Sequence, residues 1–133
     1  MTSDPVSNPE VDRLAASQYI SLTTYKKDGT AVPTPVWVSR AGNKLFVLTD
    51  AQAGKVKRIR NRGHVVLAPC DARGGSQGAS VDASARLVED LAEIAKIDTL
   101  HKAKYGIQYR AMGLFTKVFR RGSTNVGIEL TIV

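Results

Sequence analysis

The sequence predicts a mainly β fold with a few inserted helices, of the α+β class. The segment "YISLTTYKKDGTAVPTPVWVSR" (19–40) has alternating residues on either side of Asp28-Gly29, a favoured hairpin turn. Compact apolar segments follow at 44–49, 64–70 and 124–133. Short strands joined by tight turns favour a barrel or sandwich of about six antiparallel strands over a doubly wound parallel sheet.

Two prolines mark an unusual strand after the first turn. Ile20, Leu22 and Thr24 alternate with polar residues in the first strand, as expected of a sheet with one buried face. Pro33 and Pro35 lie two residues apart in the second strand. Because proline has no N–H to donate, this strand is predicted at an edge or a bulge of the sheet.

The helices have separate signals. Asn8 is a suitable cap for a short helix from Pro9, and a second helical segment within 51–62 turns Val56 and Ile59 inward. A third is predicted over 90–105 and ends at Gly106. Its predicted apolar side consists of Leu91, Ile94, Ala95 and Ile97, with Tyr105 and Tyr109 exposed. A fourth helical stripe is formed by Met112, Phe115 and Phe119.

The composition fits one domain over residues 1–133, with 1–8 as a flexible tail. The single cysteine, Cys70, cannot form an internal disulfide, and no apolar run approaches the roughly 20 residues of a membrane span. The N-terminus does not resemble a signal peptide. We therefore expect a soluble, cytoplasmic protein, and its net charge of +7 favours an anionic partner.

The charge is concentrated in the predicted second helix. Its cations, with no acid among them, are Lys55, Lys57, Arg58, Arg60 and Arg62. Lys55, Arg58 and Arg62 share one helical arc, and the small residues before Lys55 let an anion approach the first N–H groups. A solvated basic face is the alternative. Nucleic-acid binding is less favoured, because no aromatic residue is interleaved with these cations.

The sequence has no recognisable catalytic set. His64 and His101 belong to no cluster with metal-ligand spacing, so no metal site is predicted. Cys70 lies near Arg73 without a paired base, which makes a buried or cofactor-contacting thiol more plausible than a nucleophile. Trp37 fits either the core or the wall of a flat ring. An anion site without catalytic residues indicates a cofactor that carries the chemistry itself.

The ordered segments "DGTAVPTPVWV", "LFVLTDAQAGKVKRIRNRGHVVLAPCDARG" and "VGIEL" resemble the split β-barrel flavin and deazaflavin oxidoreductases. They are similar in particular to the small actinobacterial PPOX-class F420-dependent enzymes of the pyridoxamine phosphate oxidase-like, FMN-binding fold. The resemblance runs from about residue 14 to the C-terminus. It implies a six-stranded split barrel and a homodimer with the cofactor in a groove at the dimer interface.

The resemblance also implies where the cofactor binds. The strand Pro33–Val38 is expected beside the tricyclic ring, and the strand end Leu48-Thr49 and the turn Gly54-Lys55 beside the phosphate. The implied cofactor-binding residues are Pro33, Thr34, Pro35, Val36, Trp37, Val38, Leu48, Thr49, Gly54, Lys55, Lys57, Arg58, Arg60, Pro69, Cys70 and Arg73.

Coenzyme F420 is the cofactor that the resemblance favours, with FMN as the alternative. The strand Pro33–Val38 carries no basic residue, unlike FMN-using relatives, and the cations after Lys55 suit the longer anionic tail of F420. The implied reaction is hydride transfer from reduced F420 to a small organic acceptor. The alternatives are an FMN- or haem-binding protein, a non-enzymatic F420 carrier and, less favoured, a nucleic-acid-binding barrel. The acceptor and the proton donor cannot be identified from the sequence.

Overall fold

Seven antiparallel strands form one curled sheet in the computed structural model, which describes residues 8–109 and 125–133. The elements in chain order are α1 (Pro9–Ala15), β1 (Tyr19–Tyr25), β2 (Ala31–Val36), β3 (Ser39–Ala41), β4 (Lys44–Asp50), α2 (Gly54–Asn61), β5 (His64–Cys70), β6 (Val81–Val88), α3 (Leu91–Tyr105) and β7 (Asn125–Ile132). The strand order is β2-β1-β5-β6-β7-β4-β3. The predicted α+β class is confirmed.

One buried face of the sheet forms the core. Ile20 and Leu22 of β1, Leu67 of β5, and Ile128 and Leu130 of β7 are fully buried. Residues between them in sequence point to the other face, so the alternation predicted for the first strand is confirmed. Burial of such side chains supplies about 1.5–3 kcal/mol each, which drives the sheet to close around them.

The strand count is seven rather than six because the predicted second strand is broken. It ends at Val36, so Trp37 and Val38, predicted within it, lie in a connection instead. The chain then forms the short β3, which pairs with β4 around a turn where Gly42 has φ of 62°. The break has a physical cause, because side chains of α3 bond the Val38 backbone in place of a neighbouring strand.

The prediction that the proline strand lies at an edge is confirmed. β2 pairs only with β1 among the described strands, with Pro33 opposite Thr23 and Pro35 opposite Ser21. Residues along an antiparallel strand alternately bond to the partner and point away from it. Because proline cannot donate, both prolines occupy the positions that point away. The free edge at Pro33 and Pro35 therefore offers carbonyl acceptors and no N–H donors.

α1 and α3 begin as predicted and α2 begins at Gly54, three residues later than predicted, but the apolar side of α3 differs. Asn8 accepts a hydrogen bond from the Glu10 N–H, which confirms the cap of α1. In α3 the buried residues are Ile97, His101 and Tyr105, spaced four apart, whereas Leu91 is 77% exposed. The helix packs on β3, β4 and β7 through this narrower stripe. The fourth predicted helix, with Met112, Phe115 and Phe119, lies outside the described residues, as does nearly all of the predicted tail.

We predict that Gly127→Ala destabilises the protein where α3 meets β7. A Cβ at Gly127 would lie 2.5 Å from Ile97 Cδ1 and 3.2 Å from Val88 Cβ. We expect the free energy of unfolding to fall by about 1–3 kcal/mol, because one of these groups must move. Urea unfolding measures the change.

Ile97→Val is the matched background, because it removes Cδ1 at a cost of about 1 kcal/mol. In that background Gly127→Ala should cost less than it does alone. Strictly additive losses would show that the two side chains do not compete for this space.

Candidate functional site

Arg58 is held over the first turn of α2. Its Nε donates to Oγ1 of Thr24 on β1 at 2.6 Å, and Thr24 is fully buried. A Cβ at Gly54 would lie 2.8 Å from Arg58 Nη1, so the absence of a side chain at Gly54 gives the guanidinium its room. The small residue expected from sequence at this turn therefore has a definite role, and Thr24 is the fixing partner.

Lys55 lies half-buried beside Arg58. Burial lowers the pKa of the Lys55 amine below its usual value, and the charge of Arg58 lowers it further. None of the ion pairs formed among the described residues includes either cation. Within the part of the chain that the structure describes, two positive groups thus lie near each other and form no ion pair, which is an arrangement that an anion stabilises.

The start of α2 adds backbone donors to the two cations. Ala53 is the N-cap residue, and it has no side chain that could accept from the first-turn N–H groups. The carboxylate in the preceding turn, Asp50, accepts from the Gln52 N–H at 2.7 Å. The N-terminal end of α2 therefore combines N–H donors, a guanidinium and an amine, the donor set that phosphates bind.

The other cations of the predicted basic helix lie elsewhere. Arg60 donates to Glu89 at 2.9 Å in an exposed ion pair, and Lys57 is exposed. Arg62 follows the helix and lies 5.0 Å from the centroid of the Tyr25 ring. The structure therefore brings Lys55 and Arg58 together and directs Arg60 and Arg62 to other partners.

The other end of β1 carries an aromatic cluster. Trp37 is half-buried, and its ring stacks on Tyr105 with centroids 4.5 Å apart and an interplanar angle of 11°. Tyr19 meets the same indole edge-on at 6.3 Å, and Tyr109 lies 6.2 Å away. Tyr105 was predicted to be exposed, but the structure buries this side chain to 6% exposure. The spacing of four from His101 was the signal that could have identified it.

The remaining predicted residues separate into the same two ends. Val36 and Pro69 flank Ile20 at the aromatic end, and Cys70 is opposite Tyr19. Leu48 and Thr49, half-buried near the end of β4, precede the turn into α2. Arg73 lies in the exposed turn 71–74, where the Asp71 carboxylate accepts from its N–H. The two ends are separated by the length of β1, about 16 Å between Thr24 and Tyr19.

Cys70 is a buried, protonated thiol. Burial raises its pKa, and the neighbouring Asp71 raises it further. A thiol in such surroundings is a poor nucleophile.

His101 is the buried titratable group closest to the aromatic cluster. Its Nδ1 lies 2.8 Å from Ser39 Oγ, and both residues are buried. Its Nε2 has no hydrogen-bond partner among the described residues. Burial lowers the pKa of His101 to about 4, so the ring is neutral at physiological pH.

The described part of the chain has no cluster of histidine, cysteine and carboxylate side chains that could hold a metal ion. None of its helices is long and apolar enough to cross a membrane.

The arrangement fits a flavin-type cofactor at both ends. The paired cations and helix N–H groups suit a phosphate, and the aromatic cluster and proline edge suit a flat ring with N–H donors.

The family model for pyridoxamine 5'-phosphate oxidase matches residues 8–132, so the chain belongs to this family. The family includes oxidoreductases, and its split-barrel fold is confirmed here. A comparison with curated proteins gives no significant match.

Solved structures share the fold at low sequence identity. The haem storage protein HutZ from Vibrio cholerae is 13% identical with a TM-score of 0.68, covering 95% of this chain and 89% of that one. An F420 reductase is 17% identical with a TM-score of 0.61, covering 96% of both chains. An FAD-binding protein from Mesorhizobium loti is 16% identical with a TM-score of 0.62, covering 96% of this chain and 88% of that one.

We predict that the stability of the protein falls as the pH is lowered from about 6.5 to about 4, and that His101 causes part of this fall. Its pKa is about 4 in the folded protein against 6.5 as the ordinary value. The unfolded chain therefore binds the proton first, and the loss reaches about 3 kcal/mol at the lower end. Urea unfolding across this pH range measures it.

His101→Asn, whose amide can still bond Ser39, should reduce this pH dependence, whereas the exposed His64→Asn should retain it. An equal fall in wild type and His101→Asn would show that His101 is not the group responsible.

Proposed function

We propose that the protein is an F420-dependent oxidoreductase of the split-barrel class, which reduces a small organic acceptor. The observation that carries the proposal is the pair Lys55 and Arg58, half-buried at the start of α2, neither of which forms an ion pair within residues 8–109 and 125–133. Two partly buried positive charges destabilise the folded protein unless an anion binds them. The aromatic end of β1 supplies the second half of a site for a phosphorylated ring.

The phosphate would be held by groups that are already in place. Thr24 fixes the guanidinium of Arg58, so little side-chain freedom remains to be lost on binding. Lys55 adds a partly desolvated charge, whose interaction with an anion is stronger than that of an exposed lysine. Leu48 and Thr49, near the end of β4, would lie beside the bound phosphate.

The ring would rest along β2, with Trp37 and Cys70 near its far end. The free edge at Pro33 and Pro35 presents carbonyl acceptors, which complement a ring with N–H donors. When bound, F420 supplies the hydride chemistry of the ring carbon C5. The protein's own contribution is to bind and orient the ring and to exclude water from it.

F420 is favoured over FMN by the distribution of charge. A phosphate is provided for by Lys55 and Arg58, and β2 adds no basic side chain for FMN to use. Lys57 is exposed next to this pair, where the carboxylates of a longer anionic tail would reach it. Arg60 contributes least, because Glu89 already balances it. Pro69 and Arg73 complete the set of proposed contacts at the opposite end.

The proposal includes a homodimer with the cofactor between the two copies. The outer face of β2, β1 and β5 presents small side chains, among them Ser21, Thr23, Pro33, Pro35, Val66 and Ala68. The residues of β1 and β5 in this set are half-buried and those of β2 exposed. A second copy of the chain on this face would enclose the ring next to the proline edge.

We predict that Lys55→Ala weakens F420 binding by about 1–3 kcal/mol, because it removes a charge-assisted hydrogen bond to the phosphate. Arg58→Ala should weaken it by a similar amount and Arg60→Ala by much less. Fluorescence titration of F420 at fixed ionic strength measures the dissociation constants.

Lys96→Ala on α3 is the matched control, since it removes one exposed positive charge far from α2. Equal losses for Lys55→Ala and Lys96→Ala would indicate a general charge effect and remove the phosphate site. Oxidation of reduced F420 by a panel of acceptors then separates an enzyme from a carrier. Binding of FMN or haem in place of F420 would assign the alternative cofactor.

A further inference from the structure

Side chains in the last turn of α3 form hydrogen bonds with the main chain immediately after β2. The Tyr105 hydroxyl accepts a hydrogen bond from the Val38 N–H at 2.8 Å. It also lies 2.9 Å from the carbonyl oxygens of Val38 and Gln18, and donates its single proton to one of them at a time. Burial raises the pKa of Tyr105 to about 12, so the hydroxyl keeps this proton at physiological pH.

Lys104 forms hydrogen bonds with the same stretch of main chain. Its Nζ donates to the carbonyl oxygens of Val38 and Ser17, each at 2.8 Å, and lies 4.9 Å from the centroid of the Tyr105 ring. Two consecutive side chains of α3 thus bond the peptide groups on either side of Val38 and tie them to the linker between α1 and β1. No strand could bond this peptide in the same way without continuing β2.

The Tyr105 ring fixes the residue before Val38 as well. Trp37 stacks face to face on it, and Tyr19 closes the edge of the indole. Both the main chain and the side chain at the end of β2 are therefore set by one residue of α3. Tyr109, four residues further on and beyond the end of α3, bonds Asp98 of α3 instead.

We propose that Tyr105 is a positioning residue for the ring of the cofactor: through Val38 and Trp37 it sets the end of β2 against which the ring rests. This inference rests on the proposed function. It assigns to α3 a role in ring binding that is separate from the phosphate site, since Lys55 and Arg58 lie at the other end of β1. A purely structural tyrosine would affect both ends alike.

The test separates ring binding from phosphate binding in the full-length protein. Tyr105→Phe keeps the stacked ring and removes the hydroxyl that bonds Val38. The ring probe is the deazaflavin chromophore with its ribityl chain and no phosphate, followed by its fluorescence. The phosphate probe is inorganic pyrophosphate, measured by its displacement of intact F420.

We expect Tyr105→Phe to weaken binding of the ring probe about tenfold, which corresponds to the loss of one hydrogen bond. The pyrophosphate dissociation constant should stay at the wild-type value. Thr99→Val is the matched control, since it removes an exposed hydroxyl of α3 that bonds the Ala95 carbonyl of the same helix, and should leave both constants unchanged. Fluorescence of Trp37, the only tryptophan, reports whether the stack is retained.

An unchanged ring affinity in Tyr105→Phe, an equal loss for both probes, or the same loss in Thr99→Val would overturn the positioning role while leaving the proposed function intact. Failure of the wild-type protein to bind either probe would overturn both. If Tyr105→Phe does not fold, Lys104→Met removes the second donor to the Val38 carbonyl. It is expected to weaken the ring probe in the same selective way, and wild-type affinity for that probe would overturn the proposal.

Discussion

The proximity of Lys55 and Arg58 is the electrostatic constraint on which this account of the protein depends. Folding places both groups at the start of α2, where burial lowers the pKa of Lys55 and the guanidinium lowers it further. Thr24 bonds the guanidinium of Arg58, and Val56 anchors the helix in the core. An anion that binds this pair in the folded protein stabilises the fold, so binding and folding are coupled.

The fold turns this local constraint into an extended site. β1 connects the cationic end to the aromatic end, and β2 runs beside it as an edge strand that no neighbouring strand can extend at its prolines. The length of β1 sets the spacing of the two ends. In the proposed complex the length of β1 would match the length of the cofactor, and exposed cations such as Lys57 would contact its anionic tail.

Much of this arrangement could be predicted from local sequence patterns. Alternation in β1, the Asp28-Gly29 turn, and the apolar pair Val56 and Ile59 each depend on neighbouring residues, so the strands and α2 were predicted within a few positions. The two prolines likewise indicated an edge, because the missing N–H is a property of the residue itself.

What could not be predicted depends on contacts between distant segments. The end of β2 is set by Tyr105, which is distant in sequence and whose hydroxyl replaces a strand partner. The buried stripe of α3 includes His101 and Tyr105 rather than Leu91, because the sheet beneath it selects a narrower face. Arg60 forms an ion pair with Glu89, which follows β6. No pattern within α2 indicates this partner. Helical spacing placed the cations on one side but could not identify their partners.

The most direct measurement is the pKa of Lys55 itself, determined by NMR of the lysine side chains with and without F420. Lys55→Arg assigns the resonance. The account predicts that Lys55 titrates below exposed lysines in the free protein, and that its pKa rises when F420 binds, because the phosphate favours the charged amine. Lys104, whose pKa burial lowers to about 8, is the internal reference at the other end of the site and should shift much less. A Lys55 pKa that does not change on saturation with F420 would contradict the account.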